Sequence, residues 1–302
     1  MSKHFPVISA IFLLIGCQPN AKEYHQTPLD STGSNTALVT NRQFKESEVQ
    51  QILRELPTPY KLALLFAAES KDCPHEFFAS TNSARKFLSE LDQSLITGIY
   101  QTNQAFAAIC SNKEAFLEAD RSERQFAEKL QLPVTNEIIL DSIRKVEGAD
   151  TLQQLYQELF IRRDVQLKTE TEQEKAIWIV SASWIESMFL GSKMITEKSN
   201  SYKKIIAEQK PSLNLLLRLW NSLDVKIDDE LQDRLEVLSA IYGKVELNAN
   251  MEDTFLLANE QESDSSLIAN EKIKMSLPVL EAIESEIRSI RSFMVKESFS
   301  EK

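Results

Sequence analysis

The chain has 302 residues with 34 basic against 45 acidic side chains, a formal net charge of −11, and 42% hydrophobic residues. An acidic excess of this size repels polyanions and excludes nucleic acid as a partner. Three histidines, three cysteines and six glycines leave little material for histidine-based catalysis, metal clusters or glycine-rich phosphate loops.

In chain order, segment 1–17, MSKHFPVISAIFLLIGC, has one lysine near its start, then an apolar run from Phe5 to Ile15, ending in Leu14-Ile15-Gly16-Cys17. This is the layout of a secretory signal peptide, too short for a comfortable membrane span. The tetrapeptide resembles a bacterial lipobox. The resemblance implies cleavage after residue 16 and acylation of Cys17, and two or three acyl chains make a stable membrane anchor. Gln18 after the cysteine is associated with outer-membrane sorting; which face of that membrane the protein occupies is left open. Residues 17–44 read as the lipidated cysteine and a flexible tether, with mixed polar composition and no apolar period.

From residue 45 to 302 the pattern predicts one all-α domain, a bundle of about ten helices. Leu152, Leu155, Tyr156, Leu159 and Phe160 show the helical spacing. Thr58-Pro59 reads as an N-cap followed by proline at the first helical position, and Ser111–Glu114 and Thr171–Glu174 have the form of capping boxes. Gly148 fits a helix stop. The expected helices are 45–56, 59–69, 83–110, 112–131, 136–147, 151–168, 172–197, 201–209, 211–223, 228–245 and 276–297, with an irregular or hairpin insert near 245–274.

Segment 178–190, WIVSASWIESMFL, is apolar on every side and carries Glu186 among its aromatic residues. A carboxylate there would cost about 2.5–3.5 kcal/mol in a bilayer, so the stretch reads as the central helix of a bundle. A buried carboxylate requires an answering group, such as an arginine or a tyrosine. A structural ion pair is the expectation for Glu186. The functional alternative is a ligand pocket lined by Trp178, Trp184, Glu186 and Tyr100. Gly98 and Gly191, inside helical patterns, are expected at close helix crossings.

His75 is the one histidine beyond the tether, and the acids show no metal-ligand spacing. The expectation is therefore no cofactor and no metal. An oxidising compartment permits a disulfide between Cys73 and Cys110. A straight helix over 83–110, however, is about 40 Å long and places them near opposite ends, unless the segment after Cys73 runs back along it. Two separate buried thiols are the expectation.

The blocks LPTPYKLALLF (Leu56–Phe66), ITGIYQTNQAF (Ile96–Phe106), SASWIESMFLGSKM (Ser181–Met194) and IIAEQKPSLNLLLRLW (Ile205–Trp220) resemble, in order, those of an uncharacterised family of all-helical bacterial lipoproteins. In that family two glycines typically precede the Trp-Ile-Glu; here Ser181-Ala182-Ser183 precede Trp184. The resemblance implies fold and address and carries no activity. The expected function is a lipid-anchored envelope protein that binds another envelope protein or a small ligand without catalysis. The alternatives are a hydrolase using Glu186 with a nearby tyrosine as paired acid and base, and a structural spacer.

Overall fold

The computed structural model of the protein describes residues 46–70, 72–80, 87–133, 137–223, 229–247 and 273–296. The leader, Cys17, the tether and most of the expected insert near 245–274 lie outside them. Helix α1 covers 46–55, followed by α2 (Pro59–Glu69), a 3₁₀ turn (His75–Phe77), α3 (Glu90–Ile109), α4 (Lys113–Lys129) and α5 (Glu137–Lys145). Then come α6 (Ala149–Glu170), α7 (Gln173–Met194), α8 (Asn200–Ala207), α9 (Lys210–Ser222), α10 (Asp229–Tyr242) and α11 (Leu277–Met294). The all-α bundle is as expected. At the edge of the insert, Glu246 and Lys274 form an isolated antiparallel bridge.

Helix starts follow local chemistry, with three departures from the expected caps. Thr58 caps α2 as expected, its hydroxyl accepting from the Lys61 amide at 3.1 Å, with Pro59 behind it. Helix α4 is capped by Asn112 instead of Ser111, because Ser111 sits in the left-handed region (φ 55°) as the turn after α3. At α7 the N-cap is Glu172 and no side chain closes the cap, so the box at Thr171 does not form. Gly148 is the N-cap of α6 with an ordinary negative φ, and α5 has already ended at Lys145. Helix α3 begins at Glu90, not 83, where Ser89 and Asp92 close a reciprocal capping box.

Helix α7 occupies the middle of the bundle and packs against α2, α3, α6, α9 and α11. That explains why it is apolar all round: from Lys175 to Gly191 every residue is buried. Among the described residues no helix is long and apolar enough to cross a membrane. The most extensive packing of α7 is with α3. A Cβ built on Gly98 would lie 2.2 Å from the Ile179 carbonyl oxygen, so glycine is what lets the two backbones approach. Gly191 does the same for the Phe66 ring of α2, 2.3 Å from such a Cβ. Ser183 and Thr102 stitch the α3–α7 seam, donating to the carbonyls of Gly98 (3.1 Å) and Ser183 (3.2 Å). Ser181 accepts from the Trp220 indole at 2.7 Å.

A second apolar cluster gathers the C-terminal half of α3 with Phe116, Ile139, Leu140, Tyr156 and Phe160. Arg163, buried at this junction, answers Asp120 at 2.9 Å and Glu123 at 3.4 Å, and also donates to Gln104. Such a network is tolerable inside because nearly every charge has a partner.

Candidate functional site: a strapped cleft over the buried ion pair

Glu186 is fully buried, and its answering group is Arg291 of α11, Nε to Oε2 at 3.1 Å. The other carboxylate oxygen accepts from the Asn103 amide at 3.0 Å, in the amide orientation that also lets the Asn103 oxygen accept from the Ala79 amide at 3.0 Å. Arg291 in turn donates to the Phe77 carbonyl at 3.2 Å and lays its guanidinium 4.7 Å from the centre of the Phe189 ring. None of the clefts described among these residues is lined by Glu186. Its charge organises two side chains that grip the backbone of the segment 72–80.

That segment is held at four points. Besides Arg291 on Phe77 and Asn103 on Ala79, the Tyr100 hydroxyl donates to the Ser80 carbonyl at 2.8 Å. The fourth tie is covalent: Cys73 and Cys110 form a disulfide, with Cα atoms 5.7 Å apart. This corrects the expectation of two separate thiols. The reason is geometric. Because α3 starts at Glu90, Cys73 can lie beside the C-terminal end of α3, and Ala79 and Ser80 lie further back along that helix, at Asn103 and Tyr100.

Between this strap and α4 lies a cleft of about 310 Å³, lined by His75, Phe78, Ala79, Ser80, Asn103, Ala115, Glu118 and Ala119. Alanines make the space, since longer side chains at 79, 115 and 119 would fill it. His75, Ser80 and Glu118 supply exposed polar groups at the rim, and Asn103 forms a buried floor. The Tyr100 hydroxyl is pushed up to about 12, by burial first and by the charge of Glu118 second. It stays protonated at neutral pH and works as a donor to the strap.

The residues singled out in the sequence separate into two groups. Tyr100 binds the strap directly, whereas Glu186 acts on it through Asn103 and Arg291. Trp178 and Trp184 are buried in the main apolar cluster, and their indole Nε1 atoms find no hydrogen-bond partner among the described residues. They do not line the cleft. Sequence reasoning missed Asn103 and Arg291. A signal for Arg291 exists: it falls on the buried stripe of Leu280, Ile283, Ile287, Ile290 and Met294, where a lone cation demands a buried acid. Asn103 carries no comparable signal.

Among the described residues no three of His, Cys, Asp and Glu gather as a metal-ligand set. Comparison with models of protein families, with curated proteins and with solved structures finds no match to the chain.

Proposed function

We propose that the chain is a lipid-anchored envelope protein whose helical domain binds, without catalysis, an extended peptide segment or a small ligand in the cleft between the strap and α4. The observation that carries this reading is the way the buried polar groups are spent. Glu186, Arg291, Asn103 and Tyr100 all hold the 72–80 backbone in one conformation, leaving a preformed cleft edged by hydrogen-bonding groups and no activated nucleophile. Pre-organisation of this kind lowers the entropic cost of binding.

The address rests on Leu14–Cys17 as a lipobox and on Gln18. The disulfide supports it, because such bonds persist in oxidising compartments outside the cytosol. The four blocks that resemble an uncharacterised lipoprotein family fall on α2, α3, α7 and α8–α9, and they contain Gly98, Tyr100, Asn103, Glu186 and Gly191. These are residues that build the α7 crossings and the strap.

Two measurements test the two halves. Labelled palmitate should enter the wild-type chain and not the Cys17→Ala variant; equal labelling of both removes the anchor. Compounds and peptides that copurify with the wild-type protein, identified by mass spectrometry, should be lost from Ala115→Trp, which fills the cleft from a half-buried position. Unchanged copurification removes the cleft as the binding site.

A further inference from the structure

Along α6, Phe160, Arg163, Asp164 and Leu167 recur at offsets of 0, 3, 4 and 7, which places them on one face of the helix. That face lines a second pocket with the start of α2, Gln101 of α3, and Val180 and Ser183 of α7. The pocket shares no lining residue with the strapped cleft. Its wall is mostly apolar, with the stacked rings of Tyr60 and Phe160, 4.9 Å between centres, beside Leu167 and Val180.

Most of its polar groups are already spent. Ser183 donates its one hydroxyl proton to the Gly98 carbonyl at 3.1 Å, and Thr58 accepts from the Lys61 amide at 3.1 Å. The Lys168 ammonium reaches the Leu56 carbonyl at 3.0 Å and Asp164 at 2.9 Å. Arg163 differs from these. It is only 7% exposed, and its two terminal nitrogens hold Gln104, Asp120 and Glu123, whereas its Nε–H has no partner among the described residues. A buried donor on a charged group is costly to leave without an acceptor. Ser94, Tyr156, Trp178 and Trp184 also bury an unpartnered polar atom, but none of them lines a described cleft, and Arg163 does.

The charges around Arg163 narrow the chemistry that answers it. Asp120 and Glu123 sit on the same guanidinium and Asp164 lines the pocket, so a further anion is repelled; a cation would face Arg163 and Lys168. What fits is an uncharged group with an acceptor oxygen. The free interior is about 30 Å³. Roughly 10–15 Å³ of such space holds one water-sized group, so the pocket takes about two, the oxygen and nitrogen of a carboxamide. We propose that this pocket binds a small uncharged molecule through a terminal carboxamide, whose carbonyl accepts from the Arg163 Nε–H while its apolar remainder lies against Tyr60, Phe160 and Leu167. The Gln101 side chain, which donates through Nε2 to Glu123 at 3.0 Å, still carries an amide oxygen that can accept from the carboxamide N–H. The ion pairs of Arg163 fix the direction of its Nε–H in advance, which lowers the cost of binding.

The test is a nitrogen-15 NMR titration of the full chain in detergent, with propionamide as the probe and propionate as its anionic counterpart. Propionamide should shift the Arg163 Nε–H signal and the backbone amide of Leu167 saturably, and propionate should bind at least about tenfold more weakly. Leu167→Trp fills the pocket from a half-buried position and leaves Arg163 and its acids in place; it should weaken propionamide by a similar factor. The proposal is overturned if propionate binds as well as propionamide, or if Leu167→Trp binds as well as wild type. It is equally overturned if a water keeps its cross-relaxation to the Arg163 Nε–H at the highest propionamide concentration, which would make the pocket an internal water site only. Ala115→Trp should bind propionamide normally, so failure of the cleft and failure of this pocket are separable.

Discussion

Glu186 and Arg291 lie 105 residues apart in the chain and meet at 3.1 Å in the interior, with side-chain exposures of 0% and 6%. Each is the reason the other can be buried, and together with Asn103 they transmit that constraint to the strap. Truncating one partner strands a charge. Arg291→Met should therefore cost about 3–5 kcal/mol of stability in urea unfolding. The double variant Glu186→Gln/Arg291→Met should recover more than half of that loss, since the neutral amide can still accept from Asn103. A double variant no more stable than the single one would mean that Arg291 acts through packing and not through the pair.

The Cys73–Cys110 bond closes a loop with a sequence separation of 37. Chain-entropy reasoning gives about 3–4 kcal/mol for a loop of this size. Reductant, or the Cys73→Ser/Cys110→Ser variant, should lower the unfolding free energy by that amount, and mass spectrometry of the non-reduced protein should find the linked peptides. Amide exchange should quicken first at Phe77 and Ala79 if the strap is what the bond restrains.

Gly98 has no room for a side chain, because the obstacle to a Cβ is the backbone carbonyl of Ile179 at 2.2 Å. A carbonyl inside a helix cannot swing aside, so α3 and α7 would have to separate. Gly98→Ala should destabilise by about 1–3 kcal/mol or more, opposite in sign to the usual gain in helix propensity. A thermal midpoint equal to or above wild type would show that the crossing is looser than the geometry implies.

Tyrosines set the alkaline limit. Burial raises the hydroxyls of Tyr100, Tyr156, Tyr202 and Tyr242 above their ordinary value, Tyr100 and Tyr156 to about 12. In the unfolded chain they ionise near pH ~10. Their contribution to stability is therefore complete below about pH 10 and is lost as pH rises through the folded values, because the unfolded state releases its protons first. Lys168 and Lys193, whose values are lowered by burial, act with the opposite sign: stability they withhold at lower pH is regained as pH rises toward 10.5. With the tyrosines in the majority, the urea midpoint should fall between pH 9.5 and 11.5, and Tyr242→Phe should flatten the decline. A midpoint constant over that range would contradict the burial of these hydroxyls.

How much of this was legible beforehand varies by residue type. Gly98 and Gly191 stood out because each weakens its helix locally, so a packing reason had to exist, and the crossings supply it. Glu186 stood out because an acid in an apolar helix needs an answer, though the answer could come from any element. The start of α3 is not legible because Ser83–Leu88 shows no strong break in sequence, while the Ser89–Asp92 box is a four-residue signal inside a helical pattern. That difference alone reversed the expectation for the two cysteines.

What the sequence determined by itself is therefore everything that depends on near neighbours along the chain. Apolar spacing, prolines and caps made helices, and an all-apolar stretch had to become the centre of the bundle, since these effects act over one or two helical turns. The tertiary structure decided which helix answers Glu186, where Cys73 lies against Cys110, and that the alanines at 79, 115 and 119 leave a cleft. These depend on distances between residues tens to hundreds of positions apart. Only the packing of rigid helices against one another sets such distances, and the one-dimensional pattern constrains them weakly.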